Sequence, residues 1–395
     1  MSNQLLHTPE GVRDIYSEEC ERKHLLEDKI HRTFKSYGYH PIQTPTFEFF
    51  DIFGKEIGTT PSKDLYKFFD REGNTLVLRP DITPSIARCA SKYYMEDAIP
   101  IRFCYTGNTF INNSSYQGLL KETTQSGAEL IGDGSVEADA ELIALTVQVL
   151  LNAGLKEFQV SVGHADFLKG LFENAHLGET VENEIRELLL NRNFYGVEEI
   201  VSQVGLNDDL TYLFGLLKDA MLTKEKLLEA KEKAGNYPKI FCALERLEHL
   251  EDLLRIYRVE QYVFYEMAMV SELNYYTGVI FSAYTFGSGN AVVKGGRYDR
   301  LLESFGKSAP AIGFAIVIDQ LMNALRRQNI CIPFENKTKW FVYREEKHAE
   351  VIRDAIILRN RGENVELMPV TETNTVETYE RYAQQFHIQD IIYYI

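Results

Sequence analysis

Ile101-Arg102-Phe103-Cys104-Tyr105-Thr106-Gly107-Asn108-Thr109 and Glu122-Thr123-Thr124-Gln125-Ser126-Gly127-Ala128-Glu129-Leu130-Ile131 are two β-type runs around the polar turn Asn112 to Gly118. Ser135 then introduces Val136 to Asn152, rich in Ala, Leu and Glu, which stops at Gly154. Two strands joined by a turn and followed by a capped helix predict an antiparallel sheet backed by helices. Upstream, a helical pattern from Ser17 places Leu25, Leu26, Ile30 and Phe34 on one face, with Glu18 and Glu19 in its first turn and Gly38 beyond its end. Short β-type segments follow at Tyr39 to Gln43 and at Leu65 to Phe69, the latter pairing with Thr75 to Leu78 across Arg71-Glu72-Gly73-Asn74. Downstream, residues 167–258 are helix-type and heavily charged, which predicts a helical insertion. The β pattern resumes at Tyr262 to Val270 and Val279 to Phe286, turns through Gly287-Ser288-Gly289-Asn290 and reaches Gly295-Gly296-Arg297-Tyr298-Asp299, before a helix near Asp319. Segment 326–339, with Pro333, suits a linker. Beyond it, Trp340 to Tyr343, Val365 to Met368 and Ile391 to Tyr394 alternate with helical stretches 346–360 and 374–386, a small α/β unit over 340–395. The expected fold class is α+β: an antiparallel sheet flanked by helices over 1–325, with the helical insertion inside it.

A chain of 395 residues with 45% hydrophobic content is long enough for two or three folded units. No apolar run reaches the ~20 residues that span a bilayer, and Met1 to Glu10 is polar, so a soluble cytoplasmic protein is expected. Forty-two basic against 58 acidic residues give a net charge of −16, which opposes broad contact with a phosphate backbone. The 5 cysteines are scattered without a CxxC pair, and the 9 histidines form no HExxH or HxH, so neither a redox dithiol nor a metal site is expected. Gly287-Ser288-Gly289 lacks a third glycine at Val292 and sits in a β-turn context, which argues against a dinucleotide fingerprint.

Three ordered segments resemble the class II aminoacyl-tRNA synthetase core, most closely that of the histidyl-tRNA synthetases. The first is Gly38-Tyr39-His40-Pro41-Ile42-Gln43-Thr44-Pro45-Thr46-Phe47-Glu48, similar to motif 1, the helix and strand that pair two subunits. The second is Leu78-Arg79-Pro80-Asp81-Ile82-Thr83-Pro84 with the motif 2-like hairpin Tyr105 to Gly132. The third joins Leu273-Asn274-Tyr275-Tyr276-Thr277-Gly278, Gly295-Gly296-Arg297-Tyr298-Asp299 and Pro310-Ala311-Ile312-Gly313-Phe314-Ala315, similar to motif 3. The form Arg-Pro-Asp-x-Thr-Pro looks more like the ATP phosphoribosyltransferase regulatory subunits than the Arg-Pro-Glu-Gly-Thr of true synthetases. Segment 340–395 resembles part of the synthetases' anticodon-binding domain, in a truncated form.

Adenylate formation needs cations against phosphate, and three arginine positions of the family pattern are altered here. Phe-Arg-x-Glu of motif 2 reads Phe110-Ile111-Asn112-Asn113. The Arg-Gly-Leu-Asp-Tyr-Tyr of the histidine loop reads Ser271-Glu272-Leu273-Asn274-Tyr275-Tyr276, and the Gly-x-Glu-Arg of motif 3 reads Val317-Ile318-Asp319-Gln320. The resemblance also implies a histidine pocket: Asp81, Thr83 and Gln125 for the α-amino group, Glu129 and Tyr276 for the imidazole, and Tyr298 as its wall. Gln125 and Glu129 share one face of a strand. Ile111 and Ser271 replace the arginines that hold the ligand's carboxylate in synthetases, which implies either a lower histidine affinity or another donor such as Arg88 or a backbone NH. Singly, each residue has a structural alternative: Asp81 and Thr83 as helix caps, Tyr275 and Tyr276 as sheet core, Gly295-Gly296 as a tight turn.

The implied function is a regulatory subunit without catalytic residues or cofactor. It would bind histidine, and would activate and feedback-regulate a short-form catalytic subunit of ATP phosphoribosyltransferase in the first step of histidine biosynthesis. The implied assembly is a dimer of synthetase-like cores within a hetero-octamer, with no membrane contact and no tRNA binding. A divergent histidyl-tRNA synthetase and a scaffold binding no amino acid are the alternatives.

Overall fold

Helix α1 (Ser17–Ser36) forms because Leu26, Ile30 and Phe34 recur on one face and are buried, and it ends where Gly38 takes a φ of +82°. The computed structural model describes residues 6–54, 60–96, 99–113, 120–219, 221–270, 275–286 and 288–395. Ser271-Glu272-Leu273-Asn274, Gly287 and the part of the polar turn from Ser114 to Gly118 lie outside the described residues. After α1 come β1 (His40–Pro41), β2 (Phe47–Phe49), β3 (Lys67–Phe69), β4 (Thr75–Leu78), α2 (Thr83–Tyr93), the long strands β5 (Ile101–Phe110) and β6 (Glu122–Ile131), α3 (Val136–Ala153) and β7 (Phe158–His164). The helical segment then runs through α4 (Ala165–Ala175), α5 (Glu179–Leu190), α6 (Phe194–Val204), α7 (Asp208–Gly215), α8 (Lys224–Lys233) and α9 (Pro238–Tyr257). The sheet is completed by β8 (Val263–Tyr265), β9 (Val279–Thr285), β10 (Val293–Arg297) and β11 (Ala311–Val317), and α10 (Ile318–Arg327) follows.

Eight strands form one sheet in the order β1-β5-β6-β11-β10-β9-β7-β8. Its six central strands are antiparallel, as expected, but both edges depart from the expectation: β1 lies parallel to β5 and β8 parallel to β7. The physical reason is connection length. A parallel neighbour requires a crossover, and the six-helix segment between β7 and β8 provides one that no short turn could. The expected pair Leu65 to Phe69 and Thr75 to Leu78 forms over Lys67–Phe69 only, and with β2 it makes a separate three-stranded sheet. One face of the large sheet packs under α1 and α3 through Leu26, Ile30, Cys104, Ala128, Leu130 and Leu142. The opposite face, with Phe103, Tyr105, Ile131 and Tyr298, packs under Ile82 and Ile86 of α2. No helix among the described residues is long and apolar enough to cross a membrane.

Helix α3 starts where the Ser135 hydroxyl accepts from the Ala138 amide (3.2 Å) and ends where Gly154 adopts a φ of +106°. Its first turn carries Asp139, fully buried, yet the Asp139 carboxylate is an acceptor for two guanidiniums. Arg297, at the end of β10, donates Nε (2.8 Å) and Nη2 (2.5 Å) to Oδ1, and Arg246 of α9 donates Nε (2.6 Å) to Oδ2. Burial alone raises the Asp139 pKa, and the two arginines oppose that rise.

The second compact unit, Pro333–Ile395, holds a three-stranded parallel sheet of β12 (Lys339–Tyr343), β13 (Val365–Pro369) and β14 (Asp390–Tyr394), with β12 central. Helix α11 (His348–Asn360) covers one face through Val351 and Ala355, and α12 (Val376–Gln385) the other through Tyr379 and Ala383. Between Arg327 and Lys339 the chain has no regular structure.

Because a buried guanidinium without its carboxylate is strongly unfavourable, we expect Asp139→Asn to cost about 3–5 kcal/mol of stability in the first unit. Urea unfolding followed by circular dichroism measures it, and a cost near zero would mean that Arg297 finds another anion.

Candidate functional site

Strand β6 carries Gln125, Gly127 and Glu129 on the face turned toward α2, as the period of two requires. Glu129 is buried to 1% exposure in the middle of that face. Its carboxylate fits because β11 offers Gly313 directly opposite: a Cβ there would sit inside the Glu129 carboxyl group. Two neutral hydroxyls hold it. Thr83 Oγ1, from the first turn of α2, donates to Oε1 (2.8 Å), and Tyr298 Oη, just after β10, donates to Oε2 (2.5 Å). Gly296, paired with Gly313, leaves room for the Tyr276 ring in the same way.

Asp81 stands beside this carboxylate at the entry to α2. Its Oδ1 accepts from the Thr83 amide (3.2 Å) and its Oδ2 from the Tyr275 hydroxyl (3.2 Å). The capping alternative for Asp81 is thus partly realised, in the same arrangement that brings Thr83 to Glu129. Rings of Tyr275 and Tyr276 meet edge to face at 5.0 Å, and those of Tyr275 and Tyr298 at 5.8 Å. Among the described residues the buried Gln125 side-chain oxygen has no hydrogen-bond partner, while the buried Tyr105 hydroxyl lies beside Glu129 and Thr83.

The electrostatics follow from this burial. Desolvation pushes the Glu129 carboxyl up to about 8, with nearby Asp81 adding to the rise and the Tyr298 and Thr83 hydroxyls opposing it. Asp81 is raised for the same first reason. Among the described residues no arginine or lysine side chain donates to either carboxylate. Such a site, with two desolvated carboxylates and the orphaned Gln125 oxygen, suits a ligand that brings N–H donors and positive charge.

Of the residues expected from sequence, Asp81, Thr83, Glu129 and Tyr298 are brought together by hydrogen bonds, Tyr276 packs on Gly296 and reaches them through Tyr275, and Gln125 shares the strand face of Glu129. Arg88, one of the donors considered for the ligand's carboxylate, is paired with Glu48. It lies on α2 with Nε (3.2 Å) and Nη2 (2.8 Å) both on Glu48, whose buried carboxylate claims it. Ile111 lies just beyond β5, its amide on the Lys121 carbonyl (2.9 Å), and Gln320 lies on α10 with a buried, unpartnered side-chain oxygen. Tyr105, Tyr275 and the glycines 127, 296 and 313 were not singled out as site residues by sequence. A signal existed for Gly127: a glycine inside a strand between two polar residues marks a close approach, here that of the Tyr105 hydroxyl.

Folding binds a proton at Glu129 between the ordinary carboxyl value of 4.5 and about 8. Its contribution to stability is full below that window and is lost as pH rises through it. We expect the urea midpoint of the ligand-free protein to fall as pH rises from about 6.5 to about 8, and Glu129→Gln to reduce the fall; below that range buried His164, neutral when folded, gains a proton on unfolding and opposes it. A wild-type midpoint independent of pH there would mean that Glu129 stays ionised.

Comparison with known proteins agrees with this architecture. A family model described as histidyl-tRNA synthetase matches residues 11–321. An ATP phosphoribosyltransferase regulatory subunit of Acetivibrio thermocellus is 39% identical over 373 residues, covering 93% of this chain and 88% of the relative. One of Ruminiclostridium cellulolyticum is 36% identical over 393 residues, covering 100% of this chain and 93% of the relative. The solved structure of an ATP phosphoribosyltransferase regulatory subunit/histidyl-tRNA synthetase from Bacillus halodurans superposes with a TM-score of 0.87 at 32% identity, covering 100% of this chain and 99% of that one. With a matching family model over most of its length and relatives that align nearly end to end, the chain belongs to the family of ATP phosphoribosyltransferase regulatory subunits, built on the histidyl-tRNA synthetase fold.

Proposed function

We propose that this chain is a non-catalytic histidine sensor that activates a short-form catalytic subunit of ATP phosphoribosyltransferase and relays feedback inhibition to it. The observation that carries the reading is the Glu129 carboxylate, buried in a glycine notch and, among the described residues, held by neutral hydroxyls alone. An imidazole N–H directed at Glu129 would relieve that desolvation, with the Tyr276 hydroxyl also facing the imidazole and Tyr298 as its wall. The α-ammonium would take Asp81, Thr83 and the orphaned Gln125 oxygen. Both halves of histidine are then matched by groups that lack partners of the right sign.

Loss of adenylation chemistry completes the reading. Ile111 and Gln320 stand where the resemblance places arginines, and Ser271 is the third such position. Each absent preorganised cation removes roughly 10²- to 10³-fold in rate. The partner would be a catalytic protein, with dimers of the synthetase-like core assembling into a hetero-octamer, and the cytoplasm the place of action. The test is reconstitution with a short-form catalytic subunit. We expect the wild-type chain to confer histidine-sensitive activity. Glu129→Ala and Tyr276→Phe should assemble and activate, but should need at least about tenfold more histidine for half-inhibition, since an unpaired buried donor costs about 1–3 kcal/mol. An unchanged half-inhibitory concentration would move the sensor to the catalytic partner.

A second reading, a divergent synthetase, is favoured by the family model over residues 11–321. Histidine-dependent ATP–pyrophosphate exchange separates the two. We expect exchange at the no-enzyme background, and a rate clearly above it would overturn the non-catalytic assignment.

A further inference from the structure

The helical segment from α4 to α9 meets the Thr277–Gly278 turn through its first residue and the start of α3 through its last helix. At its start, the Ala165 amide of α4 donates to the Gly278 carbonyl (2.8 Å), two residues after Tyr276. His164 caps the same helix with Nδ1 on the Asp166 amide (3.2 Å). Burial and the charges of Arg246 and Arg297 push His164 down to about 3, so it is neutral there. In the segment's last helix, Arg246 of α9 grips Asp139 and donates Nη2 to the carbonyls of Gly134 (3.0 Å) and Ser135 (2.9 Å). Arg297 holds the other oxygen of Asp139, and its Nη1 and Nη2 reach the Asp133 (2.9 Å) and Ser135 (3.2 Å) carbonyls. The Arg297 carbonyl accepts from the Thr277 amide (2.7 Å), and the Thr277 hydroxyl accepts from the Asp299 amide (2.9 Å). Between Arg297 and Asp299 lies Tyr298, the residue on Glu129. One buried aspartate thus connects a helix of the segment to both walls of the pocket.

We infer that Arg246 is a positioning residue for the ligand pocket, acting through Asp139 and Arg297, so that the helical segment and the pocket are coupled in both directions. This rests on the reading of the pocket as a histidine site. Arg246 suits the role because its side chain is 23% exposed while those of Asp139 and Arg297 are 0% and 3% exposed. Removing it leaves Asp139 still neutralised by Arg297, so the fold persists, but the carboxylate loses the restraint on its second oxygen. The Arg297 backbone, and with it Tyr298 and Thr277, loses registration. Reciprocity follows from thermodynamics: if Arg246 sets the affinity for the ligand, the ligand must change the stability of contacts made by α9.

The experiment measures two quantities on the full chain: L-histidine binding by calorimetry, and amide hydrogen exchange with and without L-histidine. Arg246→Ala should weaken histidine at least about fivefold, the lower end of typical coupling between sites. Arg246→Lys should recover part of that loss, because an ammonium reaches Asp139 but cannot span the two carbonyls as well. Lys231→Ala breaks a different ion pair on α9, with Glu248, and should leave histidine affinity as in wild type. In wild type, histidine should slow exchange around Arg246 as well as at Thr277. Affinity of Arg246→Ala within twofold of wild type, or no histidine-dependent protection in α9, would overturn the coupling. If wild type gives no histidine heat, the sensor reading fails. Exchange of the ligand-free proteins still decides the coupling: Thr277 and Tyr298 amides should exchange faster in Arg246→Ala and unchanged in Lys231→Ala, and equal rates in Arg246→Ala and wild type would overturn it.

Discussion

Placing the Glu129 carboxylate on a dehydrated sheet face is the constraint from which the rest of the site follows. A carboxyl group on a strand interior needs volume, and Gly313 on the neighbouring strand supplies it by having no side chain. Hydrogen bonds are needed next, and they come from elements distant in sequence: Thr83 at the start of α2 and Tyr298 after β10. These two hydroxyls cannot restore full hydration, so the carboxyl remains costly to ionise. Packing of α2 against the sheet through Ile82 and Ile86 is therefore also what brings Thr83 to its acceptor. Core and site share residues, and neither can be repacked without the other.

Much of this architecture can be read locally. The α1 and α3 boundaries follow from an apolar stripe, a Ser135 cap and two glycines with positive φ, all within a few residues of one another. The parallel edge pairs could not be read, because β1 and β8 are two and three residues long and their partners are set by crossovers rather than by turns. Within the site, the family pattern supplied Asp81, Thr83, Gln125, Glu129, Tyr276 and Tyr298, while Tyr105 and Tyr275 looked like ordinary strand or core aromatics. Their hydroxyl environments depend on Gly127 and Asp81, which only tertiary pairing brings near. Arg88 shows the converse: a cation near the motif looks free in sequence, but in the fold it pairs with Glu48, forty positions earlier.

Asp139 has the least local signal of all. An aspartate in a helix first turn is well explained by the helix dipole alone. Nothing in Ala138-Asp139-Ala140 indicates that its partners are Arg246 and Arg297, more than a hundred positions away on different elements. Buried charges of this kind add little net stability, because desolvation offsets attraction. What they add is geometry, since two planar guanidiniums on opposite oxygens fix the carboxylate's position and orientation.

That distinction bears on how a synthetase-like core could serve regulation. An enzyme must hold its transition state more tightly than its substrate, and cations facing phosphate do that work. A sensor needs only a difference in ligand affinity between two states of the protein, because a ligand bound equally to both shifts nothing. On the proposed reading, Ile111 and Gln320 would remove means of catalysis while leaving Glu129 and its partners in place. The residues around Glu129 are held by elements that also face elsewhere: α2 by the apolar face, β10 by Asp139, and the Thr277–Gly278 turn by Arg297 and Ala165. A ligand drawn in by Glu129 would therefore act on several elements at once. Close-packed interiors and buried ion pairs yield to such a load by switching between discrete arrangements rather than by deforming smoothly.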